Sequence, residues 1–417
     1  MNEKLIYVYI DIKGSCKFVG RLWHHYNKGR ESSSFEYDRN WLKDPEHFAL
    51  EPALMLTDGK YHTEKGLNIF GSLGDSAPDR WGRILMKRAQ LNKAFQEDCA
   101  PKTLSEIDYL LMVNDKLRQG ALRFSLSKDG PFLSDSEDSI PPIIELTRLI
   151  NASENIINST ESNEDLLLLV APGSSLGGAR PKSCVINKDG ILSIAKFPRK
   201  DDYTCVEAWE SVALTIAKQA GITVPEWRYE NILNKPVIIE NRFDRKGEHR
   251  IPFLSAMSMI GARDNEIDHS YLEIVEAIHR NGSKVNEDLK ELFKRISLNI
   301  LISNTDDHLR NHGFLYDNKG WFLSPVYDIN PVPTHEKSRY LSLNINLDNN
   351  RASIDTILSI SDEFRLKNHE AKEVIKSIAV SASQWRLIAK NHHIHSGEIE
   401  KMSSAFEHDD LQKSLQF

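Results

Sequence analysis

The sequence predicts an α+β chain in two lobes, the second of them mostly helical. Three observations carry this. Strand-like runs dominate the start of the chain and return after residue 166. Gly-rich or polar turn signals separate those runs. From about residue 270 apolar residues recur at helical spacing almost to the C-terminus. The length, 417 residues, suits two to three domains. We divide it into an amino-terminal α+β subdomain (1–128), a linker with a helix (129–165), a small-lobe core with a Gly-rich turn (166–244) and a helical large lobe (245–417).

The elements follow in order. "KLIYVYIDI" and "KFVGRLWHHY" read as strands joined by a turn at Gly14, and "SSFEYDRNWL" as a third. "APDRWGRILMKRAQLNKAFQ" has helical spacing, with Ala77-Pro78 at its start. "TLSEIDYLLMV" is a second helical stretch. "GPFLSDSEDSIPP" (130–142) reads as an acidic exposed linker, "IIELTRLINASENIIN" as a helix, and "STESNED" (159–165) as a polar break. "LLLLVAPG" then leads into a hairpin pattern. A Gly-rich turn, the strand "KSCVIN", the turn "KDG" and the strand "ILSIAKFP" follow one another. "VEAWESVALTIAKQAG" is helical and stops at Gly221. "PVIIENRFDR" is strand-like, and the hairpin "GFLYDNKGWFLSP" lies among the late helices.

Composition narrows the function classes. The net charge of −7 argues against a surface wholly devoted to nucleic acid and leaves room for a local basic patch. Cys16, Cys99, Cys184 and Cys205 lie far apart without a CxxC pair, which points to a reducing compartment and no structural zinc site. The start "MNEKLIYVYIDIKG" reads as a strand rather than a signal peptide, and no apolar run approaches membrane-spanning length. The expected location is the cytoplasm.

Charged and flexible residues then fall in a telling order. "GSSLGGARPK" (173–182) can bring backbone N–H groups against an anion, with Arg180 and Lys182 adding positive charge, though it lacks the GK[ST] of a Walker A loop. Alone, it reads as an ordinary Gly-rich turn. One strand downstream stands Lys196, and the next helix carries Glu207 and Glu210. Gly-rich turn, strand lysine and helix glutamate is the order of a kinase small lobe. After the apolar run "RISLNILI" comes "SNTDDHLRNHGFL", where Asp306 and Asn311 keep the D-x-x-x-x-N spacing of a kinase catalytic loop. Asp307 competes for the role of base, but only Asp306 keeps that spacing. A short hairpin leads to Asp328 in "SPVYDINP", and Asn311 with Asp328 offers the few hard oxygen ligands magnesium prefers. His308 is a nucleotide-contact candidate whose plainer reading is a hydrogen-bonded histidine orienting the loop. "NHHIHS" (391–396) could hold a metal but reads as a surface loop.

Together these residues resemble the HipA-like serine/threonine kinases, the toxin half of bacterial type II toxin–antitoxin pairs. "SLGGARPKS", "IAKFPR", "NRFDR", "NTDDHLRNHGFL" and "LSPVYDINP" look like the kinase-domain motifs of that family. "FGSLGDSAPDRWGR" and "LRQGALRF" look like its amino-terminal part. The resemblance implies a bilobal protein-kinase-like fold. It implies that Gly177, Gly178, Ala179, Arg180, Pro181 and Lys182 line the ATP phosphates. Lys196 would hold the phosphates with Glu210 as its partner, and Asn241, Arg242 and Phe243 would lie near the adenine. Asp306 would be the base, Asn311 and Asp328 the magnesium ligands, and Ser175, or its neighbour Ser174, the autophosphorylated serine. ATP and magnesium are the implied cofactors. The implied partners are a helix-turn-helix antitoxin, operator DNA only through that antitoxin, and a protein target, by analogy an aminoacyl-tRNA synthetase. Two other readings stay open: a small-molecule kinase, and a catalytically silent subunit that binds a partner or DNA.

Overall fold

The computed structural model describes residues 2–133, 141, 145–173, 178–264 and 266–417. The chain forms two compact units. The first comprises Met1–Asp201, Asn231–Lys235 and Ile239–Leu254, and the second Asp202–Glu230, Pro236–Ile238 and Ser255–Phe417.

The first unit opens with an antiparallel sheet in the order β4-β3-β2-β1-β5. Its strands are β1 (Asn2–Ile12), β2 (Ser15–Asn27), β3 (Arg30–Tyr37), β4 (Lys60–His62) and β5 (Leu122–Ser125). Two-residue turns set the register. Ile12 pairs with Ser15 across Lys13-Gly14, and Asn27 with Arg30 across Lys28-Gly29. All four turn residues have positive φ, the type I′ geometry that matches strand twist. Ile6, Val8, Leu22 and Phe35 are fully buried, each a contribution of roughly 1.5–3 kcal/mol. Strand β5, hidden in "LRQGALRF", pairs with β1 some 115 positions away, Val8 opposite Phe124. No local signal announces that pairing.

The helix expected from Ala77 spans Arg80–Gln96, with Asp79 at its N-cap and Trp81, Leu85 and Met86 on its buried face. Glu106–Met112 begins with a reciprocal capping box between Ser105 and Asp108. The polar break at 159–165 is shorter than its composition suggests. Ser162 Oγ accepts from Asp165 N and Asp165 Oδ2 accepts from Ser162 N. That reciprocal cap starts a helix at Asn163, so "LLLLVAPG" completes the helix Asn163–Gly173. The hairpin that follows is β6 (Lys182–Ile186) with β7 (Leu192–Lys196), Lys182 opposite Lys196.

A buried charge network fastens residues 115–123 to 242–250 in this unit. Asp115 takes Arg123 and Arg250, and Asp244 takes Arg242, Arg245 and the N–H of Gly120. Burial works to raise the Asp244 carboxyl, yet Arg242 and Arg245 hold it well below the carboxylate range.

The second unit is mainly helical. Its helices include Val206–Gln219, Tyr271–Asn281, Val285–Leu301 and Asn368–Ser383. Ile274, Ile278, Leu289, Phe293, Ile296 and Ile375 are fully buried. The hairpin Gly313–Tyr316 with Trp321–Leu323 follows the charged loop. Among the described residues no helix is long and apolar enough to cross a membrane.

Candidate active site

In the second unit the helix Val285–Leu301 delivers the chain to the charged loop. Its last polar side chain, Asn299, is 2% exposed inside an otherwise apolar turn. Ser303, at φ +55°, ends the helix and donates from Oγ to Ala405 O at 2.8 Å. The loop then separates its two carboxylates. Asp306 is exposed. Asp307 is 2% exposed, and its Oδ2 accepts three hydrogen bonds: from Tyr271 Oη at 2.6 Å, Asn299 Nδ2 at 2.8 Å and His312 Nε2 at 2.8 Å. Burial works to raise the Asp307 carboxyl. His312 and the Tyr271 hydroxyl outweigh it and hold the group below its ordinary value. Tyr271 is pushed in the other direction, well above the usual phenol range, by burial and by the Asp307 charge.

This arrangement identifies the orienting histidine. His308 is exposed and precedes the single turn Leu309–Asn311, whereas His312 is 1% exposed and grips Asp307. Because an ionised carboxylate only accepts, His312 Nε2 carries the proton. Asn311 is buried and donates from Nδ2 to Asp306 O at 3.1 Å, which ties the two ends of the D-x-x-x-x-N spacing together. Further bonds hold the loop from outside. Thr305 O accepts from Lys337 Nζ and Ser342 Oγ, Arg310 O accepts from Tyr327 Oη, and Arg310 pairs with Asp264. Asp328 is half-buried at φ +57°, a left-handed conformation that costs an aspartate energy and gathers at functional sites.

In the first unit Lys196 closes β7. It is 7% exposed, and its Nζ lies 3.1 Å from Glu240 Oε1, itself on a residue 4% exposed. Glu240 was not among the sequence candidates; Glu210, the glutamate the resemblance implies as a partner of this lysine, is 2% exposed on the helix Val206–Gln219. The next side chains after Glu240 make contacts of their own. Asn241 Oδ1 accepts from Asn187 Nδ2 at 3.1 Å and from Ser193 Oγ at 2.9 Å. Arg242 spends its guanidinium on Asp244, Leu117 O and Arg118 O. Phe243 packs against Phe253. Lys182 is 7% exposed at the head of β6, and Gly178 holds φ +87°. A Cβ at Gly178 would lie 2.7 Å from Lys182 Nζ. Ser174, Ser175 and Gly177 lie outside the described residues.

Two histidines of "NHHIHS" make contacts elsewhere. His392 bonds Thr215 Oγ1 and packs on Tyr229, and His395 caps the helix Ser396–Lys401. Among the described residues no group of three or more His, Cys, Asp or Glu could hold a metal.

The fold defines the class: a mixed helix-and-sheet chain. The sequence model of the HipA-like C-terminal domain matches residues 174–385, and the chain belongs to that family. The fold extends beyond the matched region. The HipA of the Shewanella oneidensis complex "Toxin Antitoxin System HipA, HipB and its operator DNA" superimposes with a TM-score of 0.65. The match covers 99% of this chain and 96% of that one, at 15% identity. A Haemophilus influenzae protein named "Putative kinase" is 31% identical over 197 residues, 41% of this chain and 57% of its own. A Sinorhizobium fredii protein of similar name, Y4mE, is 23% identical over 180 residues, 37% of this chain and 41% of its own. The chain thus spans about half the length of these curated relatives.

Proposed function

We propose that this chain is an ATP- and magnesium-dependent serine/threonine protein kinase acting as the toxin of a toxin–antitoxin pair in the cytoplasm. One observation carries the reading. Of two adjacent carboxylates, Asp307 is consumed by three buried hydrogen bonds, while Asp306 stands exposed with Asn311 tied to its carbonyl. A general base must reach its proton, and of these two carboxylates the exposed Asp306 suits that role.

In this reading each half of the chemistry would draw on residues of one unit. In the first, the ammonium of Lys196, held by Glu240, would neutralise nucleotide phosphates. Lys182 and the backbone of Gly178 to Pro181 would line them. In the second, Asp306 would orient the target hydroxyl and take its proton, a contribution of roughly 10²–10⁴-fold. The amide oxygen of Asn311 and the carboxylate of Asp328 suit magnesium, which takes one or two protein oxygens and fills its shell with water and phosphate. Bound there, the ion would offset charge on the transferring phosphoryl group.

The resemblance extends the reading to partners. A helix-turn-helix antitoxin would bind the toxin, with operator DNA engaged through it, and the target would be a protein. Ser175 or Ser174 would be the autophosphorylation site, where a phosphate adds about −1.5 to −2 charges beside the nucleotide's own. The test is intact mass after incubation with magnesium and ATP, for dephosphorylated wild type and for Asp306→Ala. Added phosphate in the wild type alone, mapped to Ser174 or Ser175, supports the reading. Label transferred to a metabolite rather than a protein would replace it with a small-molecule kinase. Binding of ATP without any transfer would indicate a silent subunit.

A further inference from the structure

The start of one helix touches both flanks of the Gly-rich segment. Ahead of it, Gly173 sits so close to the helix Arg80–Gln96 that a Cβ would lie 2.6 Å from Leu85 Cδ1 and 3.3 Å from Trp81 Nε1. Behind it, Gly178 N donates to Asp79 Oδ2 at 2.9 Å, and Gly178 O accepts from Trp81 N at 3.2 Å. The Trp81 indole, 2% exposed, donates from Nε1 to Lys182 O at 2.9 Å.

Asp79 is the unusual member. It occupies the N-cap of its helix, where an aspartate ordinarily accepts from its own second or third N–H. Here it makes no side-chain cap bond. The carboxylate is spent instead on an N–H 99 positions away. That N–H belongs to a residue at φ +87°, the sort of backbone whose N–H groups otherwise face an anion. With Gly178 held at both its N–H and its carbonyl, the backbone leading to Lys182 starts from a fixed point.

We infer that Asp79 is a positioning residue for nucleotide binding: through the Gly178 N–H it sets the geometry of the backbone from Gly178 to Lys182. The inference rests on the kinase reading above. The role is one of positioning, because the Asp79 carboxylate is bonded to the loop backbone and acts through it. It gives the amino-terminal region a chemical part in a site whose other members lie in the family-matched region from residue 174 on.

The experiment uses the full chain, a non-hydrolysable ATP analogue and magnesium. It compares wild type, Asp79→Ala and Asp79→Asn by calorimetric titration, with thermal denaturation and amide exchange of the peptide covering 178–182 alongside. Asp79→Ala is expected to weaken the analogue about 10-fold, the scale of one charge-assisted hydrogen bond. It should also speed exchange in the peptide and leave the melting temperature nearly unchanged. Asp79→Asn keeps an acceptor oxygen and should recover most of the affinity. In turnover assays KM for ATP should rise while kcat at saturation stays within a few-fold. Unchanged or tighter binding in Asp79→Ala would overturn the inference, since a carboxylate that merely competes with phosphate predicts tightening. A melting-temperature loss shared by both variants, with affinity intact, would reduce Asp79 to a structural role. If the wild type itself fails to bind the analogue, the kinase reading falls. Amide exchange then decides the anchor by itself, faster exchange in Asp79→Ala supporting it and unchanged exchange refuting it.

Discussion

Replacing Asp307 by alanine tests the division of labour between the two loop carboxylates. Three donors point at one oxygen of Asp307: Tyr271 Oη, Asn299 Nδ2 and His312 Nε2, all on residues no more than 2% exposed. Removing the acceptor strands all three away from water. An unsatisfied buried donor costs about 1–3 kcal/mol, so three cost about 3–9 kcal/mol before relaxation. Rotation of the tyrosine hydroxyl and admission of a water lower that figure. The loss expected is about 3–5 kcal/mol, the range for breaking a buried charged contact. Urea denaturation followed by far-ultraviolet circular dichroism reads it directly. Asp306→Ala, on an exposed side chain, should stay within about 0.5 kcal/mol of wild type while abolishing transfer. Asp307 carries a lowered pKa, so its contribution is present above the unfolded carboxyl value, near pH 4, and fades as pH falls through the folded value. The gap between wild type and Asp307→Asn should therefore narrow below about pH 4. A cost under about 1 kcal/mol for Asp307→Ala at pH 7, or equal destabilisation by Asp306→Ala, would refute the assignment.

Other outcomes follow from the same contacts. Lys196→Met should cut nucleotide-dependent transfer by about 10²-fold or more, and Glu240→Gln, which frees the lysine from its carboxylate at 3.1 Å, should lower it less. Equal activity in both variants and wild type would remove the pair from the site. Asp244→Ala leaves Arg242 and Arg245 buried beside each other without their carboxylate and should cost about 3–5 kcal/mol; a neutral result in denaturation would show that the network is dispensable. Glu51 is 5% exposed, and burial raises its carboxyl to about 7. Its favourable contribution is complete below the unfolded value and is lost as pH rises through about 7. Glu51→Gln should thus stabilise the protein at pH 8 and not at pH 5, and a pH-independent difference would contradict this.

Much of this protein is written locally. The period-2 runs of β1 to β3, the turn at Gly14, the helical spacing of "APDRWGRILMKRAQLNKAFQ" and the stop at Gly221 depend on neighbours a few positions apart, so the sequence alone is enough to place them. The same holds for the D-x-x-x-x-N spacing of Asp306 and Asn311, which a single turn converts into one hydrogen bond. Tertiary structure decided what spacing cannot encode. Asp306 and Asp307 are chemically identical neighbours, and only the arrival of Tyr271 and Asn299 from two helices, with His312 beyond the turn, buries one and leaves the other in water. His308 and His312 differ for the same reason. A buried Asn299 in an apolar helical run was a legible hint, because an amide in that position needs a partner. Glu240 beside Lys196, β5 beside β1 and Asp79 beneath Gly178 left no such hint. Each joins residues tens of positions or more apart, and the free energy that selects those partners is the burial of both at once, which no stretch of either segment contains.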